Sequence, residues 1–209
     1  MVHGTAGYGR FIDHFIASSQ ALNFREVCVA FLEFLPATAG RILDAGAGAG
    51  QNAMALAEMG HSVVAVEPMM EFLDAAREAY SQYPVVWHQD SLPALACLGA
   101  DGNQFDFILA EGVWHHLNEA ERGASLQRFS NLLKVGGKCA LSLRNGPAGM
   151  GSHVFPTDAE HTIPLAANLG LTCVMRLKDQ PSIFSFKPGV TWSRVVFEKR
   201  PHADQPKTV

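Results

Sequence analysis

The segment that most constrains this chain is residues 41–51. Arg41, Ile42, Leu43, Asp44 and Ala45 form a short apolar run, which leads into Gly46-Ala47-Gly48-Ala49-Gly50. Such a run ahead of glycines reads as a strand ending in a sharp turn, and a small-residue helix, Asn52 to Met59, follows and closes at Gly60. Glycine lets the backbone turn tightly and lets a ligand come close. The free N–H groups at the start of the helix favour polar or negative ligand atoms.

The strand–helix pattern recurs down the chain. Strands are expected at Ser62–Val66, Val85–His88, Phe105–Ala110 and Lys138–Leu143. Between them, Met70–Tyr80 carries Phe72, Leu73, Ala76 and Tyr80 on one side, and a helix capped by Asn118 and Glu121 carries Leu126, Phe129 and Leu133 before Gly136-Gly137 ends it. Thr157 and Glu160 have capping-box spacing ahead of a helix that Pro164 should kink and Gly170 should close. Leu171–Leu177 and Thr191–Glu198 have no helical pattern between them, which predicts an antiparallel pair joined by the loop 180–190. Alternation of this kind predicts an α/β fold with a mostly parallel sheet covered on both faces.

Ahead of this core, Phe24, Val27, Cys28, Phe31, Leu32 and Leu35 predict one amphipathic helix stopping at Pro36, with a shorter helix around Phe11–Ile16. The expected organisation is one domain over residues 1–209: a helical cap or lid (1–36), a core (38–199) and a polar, disordered tail (200–209). Residues 1–10 read as flexible in isolation. Hydrophobic residues make up 48% and charged residues 17%, enough for a sizeable core. A net charge of −4 gives no electrostatic case for nucleic acid or an anionic membrane. Cys28, Cys97, Cys139 and Cys173 form no CxxC pair and read as free thiols in a reducing compartment. The N-terminus lacks a signal-peptide apolar region, and no run approaches the ~20 residues of a membrane span. A cytoplasmic monomer or homodimer with no metal is the expectation.

Two details narrow the glycine loop. A dinucleotide fingerprint would place glycine at position 51, which is Gln51. The next strand ends in Glu67, whose carboxylate can accept from both ribose hydroxyls of an adenosine. With these features the sequence resembles the class I S-adenosylmethionine-dependent methyltransferases. The resemblance covers residues 38–199 and rests on RILDAGAGAG, VVAVEP, WHQDSL, FDFILAEGVWHHL and LLKVGGKCALSL, in that order. It implies a Rossmann-like three-layer sandwich with a seven-stranded sheet, order 3-2-1-4-5-7-6 and strand 7 antiparallel. It also implies S-adenosyl-L-methionine as cofactor and S-adenosyl-L-homocysteine as product. Asp44, Gly46, Gly48, Gly50 and Asn52 would then surround the methionine half, and Glu67 the ribose. Pro68 and Met69 would lie along the adenine, Asp90 would accept from its amino group, and the backbone at Ser91 and Leu92 would read its ring nitrogens. Ala110 and Glu111 would flank the sulfonium.

Methyl transfer needs a base only when the acceptor atom carries a proton at attack, and His115 and His116 are the candidates. Being adjacent, they are expected to point in different directions, which makes them a poor pair for one metal. Trp114 is a candidate pocket floor, with core packing the alternative. Arg144, just past the fifth strand, can hold a carboxylate or phosphate, and Tyr8 and Arg10 sit on a stretch that can fold over the cofactor as a lid. The fourth-strand motif Ala110-Glu111-Gly112-Val113 lacks the proline-aromatic signature of nucleobase amino-methyltransferases. A small, polar or anionic molecule is the expected acceptor, methylated on O, N or S. Two alternatives stand beside this reading: a nicotinamide- or flavin-dependent oxidoreductase, and a non-catalytic module that binds the cofactor.

Overall fold

The computed structural model describes residues 2–100, 104–183 and 189–201. Seven strands form one sheet in the order β3-β2-β1-β4-β5-β7-β6. They are β1 Arg41–Ala45, β2 Ser62–Glu67, β3 Val85–Gln89, β4 Phe105–Ala110, β5 Leu133–Asn145, β6 Leu171–Pro181 and β7 Thr191–Lys199. Strands β1 to β5 run parallel, and β7 is antiparallel to both β5 and β6. The helices are α1 Ile12–Gln20, α2 Phe24–Val27, α3 Gln51–Glu58, α4 Met70–Ala79, α5 Glu119–Leu132 and α6 Ala159–Ala167. The fold is the Rossmann-like arrangement with the expected strand order. Among the described residues no helix is long and apolar enough to cross a membrane.

The period-two alternation of the strands builds two cores. Leu43, Val64, Ile108, Leu141 and Val195 face α5 and α6, and Trp114, Leu126 and Phe129 complete that layer. Ile42, Val63, Phe107, Ala140 and Val196 face the other way, onto Phe24, Cys28, Phe31, Ala53 and Leu56. The N-terminal elements therefore cover the same sheet face as α3.

Several local expectations are corrected. The single helix over 24–35 is instead α2 followed by a 3₁₀ segment, Val29–Phe34. β-Branched Val27 and Val29 flank the break and weaken a continuous helix, while Phe24, Cys28 and Phe31 are still buried. Thr157 does not cap α6: its N–H donates to Asn145 Oδ1 and its hydroxyl to Arg144 O, which ties this loop to the end of β5. Asp158 takes the cap, accepting from Glu160 N. Helix α5 ends at Leu132 rather than at the glycine pair, and β5 begins at once with a register shift opposite Phe105–Phe107. The capping box at Asn118 and Glu121 is present in both directions. All four cysteines are free. Strands β6 and β7 form the expected antiparallel pair, although residues 184–188 of the loop joining them, and residues 202–209 of the expected disordered tail, lie outside the described residues.

Candidate functional site

The same alternation that puts Ile42, Phe107, Ala140 and Val196 in one core puts polar side chains beyond them, on the same face, at the carboxyl edge of the sheet. Two residues past Ile42 is Asp44, and two past Leu109 is Glu111. Two past Ala140 is Ser142, with Arg144 two further on. On antiparallel β7, Arg194 lies opposite Ser142 and Trp192 opposite Arg144. Strand register therefore lines up Asp44, Glu111, Ser142–Arg194 and Arg144–Trp192 in one row. Glu67, at the end of β2, stands beside it.

The carboxyl groups of Asp44, Glu67 and Glu111 are each buried, and burial pushes each up to about 7. Glu67 and Glu111 add repulsion at Asp44, and a backbone bond from Ala53 at the start of α3 offsets part of it. Glu111 is helped by Arg194 and by a hydrogen bond from Ser142, whose oxygen in turn accepts from Gly112 N at 2.7 Å. Asp44 Oδ2 and Glu111 Oε2 have no hydrogen-bond partner among the described residues. Two buried acceptor atoms left open, in a cluster richer in carboxylates than in cations, suit a positively charged ligand.

The glycine loop has φ of +84°, +54° and +88° at Gly46, Gly48 and Gly50, the left-handed region that side chains disfavour. A methyl at Gly46 would collide with Val113 Cγ2, and one at Gly48 would lie 3.3 Å from the Phe15 ring. Glu67 supports this loop directly, Oε2 accepting from Gly48 N and Oε1 from Met69 N, each at 2.9 Å. Each oxygen keeps a second lone pair for a hydroxyl. Beyond Glu67, a cleft of about 330 Å³ is lined by Val2, Pro68, Gln89, Asp90 and Ser91. Asp90 is held in its own turn, its two oxygens accepting from Ser91 N and Cys97 N. Leu92 is buried, and Asn52 lies buried at the start of α3. A larger hollow of about 570 Å³, between the start of α2 and α3, is lined by none of the three carboxylates.

The N-terminal segment roofs the row. Phe15 stacks on Phe72 of α4 with ring centroids 4.4 Å apart, and Tyr8 meets both edge-on. The Tyr8 hydroxyl lies 3.0 Å from His116 Nε2, and His116 Nδ1 lies 2.7 Å from His153 O. A carbonyl can only accept, so Nδ1 carries the proton and the phenol donates to Nε2. Burial and the charge of Arg144 hold His116 below the ordinary histidine range, outweighing the bond to His153. Burial and Glu67 push Tyr8 up to about 12.

The structure separates the remaining candidates. His115 and His116 do not diverge: a 3₁₀ turn, Trp114–His116, sets their rings side by side with centroids 4.0 Å apart. Trp114 is fully buried in the core under α5, so it packs rather than floors a pocket. Ala110 points into that same core and brings only backbone to the edge. Within residues 1–10, expected to be flexible in isolation, His3–Thr5 and Tyr8–Arg10 form two 3₁₀ turns, and Gly4 and Gly7 pack against His116 and the 150–152 loop. Ser142, His153, Arg194 and Phe15 carry no role in the sequence reading, and Phe72 figures there only on the apolar face of its helix; strand parity carried a signal for Ser142 and Arg194.

Residues 42–137 match the family model of a methyltransferase domain. An uncharacterised methyltransferase of Mycobacterium tuberculosis is 34% identical over 108 residues, 51% of this chain and 41% of that protein. The chain thus spans about two fifths of the length of that relative. The fold is shared with the Burkholderia thailandensis 1,6-didemethyltoxoflavin-N1-methyltransferase solved with S-adenosylhomocysteine, at TM-score 0.70 and 19% identity, covering 93% of this chain and 87% of that one. It is shared too with a TehB-like methyltransferase of Corynebacterium glutamicum, at TM-score 0.62 and 19% identity, covering 90% and 99%.

Proposed function

We propose that the chain is an S-adenosylmethionine-dependent methyltransferase acting on an O, N or S atom of a small polar molecule. The observation that carries this is the buried carboxylate cluster beside a left-handed glycine loop, with Asp44 Oδ2 and Glu111 Oε2 open. When bound, S-adenosylmethionine supplies an electrophilic methyl group on a positively charged sulfur, leaving S-adenosylhomocysteine. Asp44 serves the ammonium end, Glu67 the ribose hydroxyls, Pro68 and Met69 the adenine face, and Glu111 the cationic sulfur. Asp90, Ser91 and Leu92 form the rim around the adenine. Glycine at 46, 48 and 50 keeps side chains out of the cradle.

On the acceptor side the proton has a defined route. With the methyl group supplied by bound S-adenosylmethionine, the proton that the acceptor loses would pass to the Tyr8 oxygen. The phenol proton passes to His116 Nε2, and His153 O stabilises the imidazolium through Nδ1. Held neutral by burial, His116 is ready to accept at neutral pH. The roof of Tyr8, Phe15 and Phe72 excludes water and opens to admit ligands.

Calorimetric titration of the chain with S-adenosylmethionine, S-adenosylhomocysteine and NAD tests the reading. Binding of the first two and not the third is expected. NAD binding alone would favour the oxidoreductase. Cofactor binding without turnover on any acceptor of a broad panel would favour a non-catalytic module.

A further inference from the structure

The guanidinium of Arg144 has no role in cofactor binding, and its setting is unusual. The residue is 9% exposed. The side chain's one hydrogen bond among the described residues runs from Nη2 to Pro147 O at 2.6 Å. No carboxylate pairs with it there, and the group that favours its charge is the Tyr8 phenol. A cation taken out of water without a counter-ion is destabilising, and such arrangements concentrate where a ligand supplies the missing charge. Arg144 stands on the same sheet face as Asp44 and Glu111, at the far end of the row from β2. Its charge acts on both members of the proton-transfer pair, Tyr8 and His116. Trp192 lies opposite it in register and is half-buried, offering an apolar wall. The other arginine in the row, Arg194, already faces Glu111 and donates to Val27 O.

We infer that Arg144 is an anion-binding subsite, and that the acceptor is a small molecule carrying both a carboxylate or phosphate group and a protonated nucleophile. The anion sits on the Arg144 donors left free by Pro147, and the nucleophile reaches the Tyr8 hydroxyl. This rests on the methyltransferase reading and adds the acceptor's charge to it. It also gives the row a polarity: carboxylates under the cationic cofactor and a guanidinium under the anionic acceptor, so the two ligands cannot exchange places.

The test uses the full chain saturated with S-adenosylhomocysteine. Matched probes are titrated by calorimetry: 4-hydroxybenzoate against 4-hydroxybenzamide, N-acetylglycine against its amide, and 4-hydroxyphenyl phosphate against hydroquinone. In at least one pair the acid is expected to bind about tenfold or more tighter than its neutral partner. The carboxylate and phosphate arms decide which anion fits. Arg144→Met should abolish the discrimination, and Arg144→Lys should restore part of it, while S-adenosylhomocysteine binds all three proteins alike. That last titration shows each variant to be folded and keeps the two readings apart. If the cofactor does not bind the parent chain, the methyltransferase reading fails. If it binds and no acid is preferred, or Arg144→Met keeps the preference, the anion subsite is overturned.

Discussion

Three buried carboxyls that each titrate near 7 make a specific demand on cofactor binding. A bound positive charge favours the ionised form, so the carboxylate it faces must release its proton. For one group that titrates at about 7 when free, and a ligand that prefers its ionised form by about a hundredfold, affinity drops roughly ninefold between pH 8 and pH 6. In the proposed placement S-adenosylmethionine presents an ammonium to Asp44 and a sulfonium to Glu111, so both groups would contribute and the fall would approach roughly eightyfold. S-Adenosylhomocysteine keeps the ammonium and lacks the sulfonium, so its fall is closer to ninefold. Glu67, proposed to face the uncharged ribose hydroxyls, would add little to either. Asp44 and Glu111 repel each other and titrate as a pair, so the ratio of the two ligands' pH profiles is the quantity to read. Calorimetry at pH 6, 7 and 8 in buffers of different ionisation enthalpy gives both affinity and protons released. Equal profiles for the two ligands would refute the placement of Glu111 at the sulfonium. Glu111→Gln should make the profiles coincide.

Further expectations follow from the same geometry. In the ligand-free chain the raised carboxyls act in the opposite sense. Their folded-state pKa values of about 7 exceed ordinary carboxylate values, so the folded state binds more protons between about 4 and 7 and stability falls as pH rises through that window. The melting temperature should therefore rise from pH 8 toward about pH 5.5, and Asp44→Asn should flatten part of that slope; a melting temperature that falls over this range would count against the buried charges. Gly46→Ala forces a side chain to φ +84° and against Val113, which should cost about 2 kcal/mol or more in a denaturant melt and abolish cofactor binding. Tyr8→Phe would remove the proposed proton relay, so kcat on a protic acceptor should fall by about 10²-fold or more while cofactor affinity holds. His116→Asn should remove the acidic limb of the pH–rate profile, and a profile that keeps it would place the base elsewhere.

Most of the fold was legible because the parallel core is written in short apolar runs with clear glycine and helix punctuation. The Asn118 capping box and the antiparallel last strand came through for this reason. Failures occurred where tertiary contacts overrode local signals. The periodicity of residues 24–35 marked the right buried face but not the helix type, since packing on Ala53 and Leu56 decides the backbone there. Thr157 had capping-box spacing, yet the end of β5 offered it bonds to Asn145 and Arg144 O instead. The pairing of His115 with His116 depended on a three-residue 3₁₀ turn that no pattern announces.

The candidate site shows where such reading can be extended. Tyr8 and His116 are 108 residues apart, and their bond needs the N-terminal segment folded over the sheet edge, which is a long-range event. The polar row is different. Once β5 and β7 are known to pair antiparallel, counting by twos from Ile42, Phe107, Ala140 and Val196 forces Asp44, Glu111, Ser142 with Arg144, and Arg194 with Trp192 onto one face. A one-residue slip of β5 against β4 would send Ser142 and Arg144 to the α5 side, breaking the support of Glu111 and removing the cation beside Tyr8. The glycine pair Gly136-Gly137 sits at the register shift that sets this parity. A methyl at Gly137 would lie 2.9 Å from Lys134 O and 3.1 Å from Phe105 O, so Gly137→Ala strains the shift itself. It should therefore weaken both cofactor binding and acid discrimination from a position remote from the sheet's carboxyl edge, whereas loss of stability with both affinities intact would show that the register tolerates it.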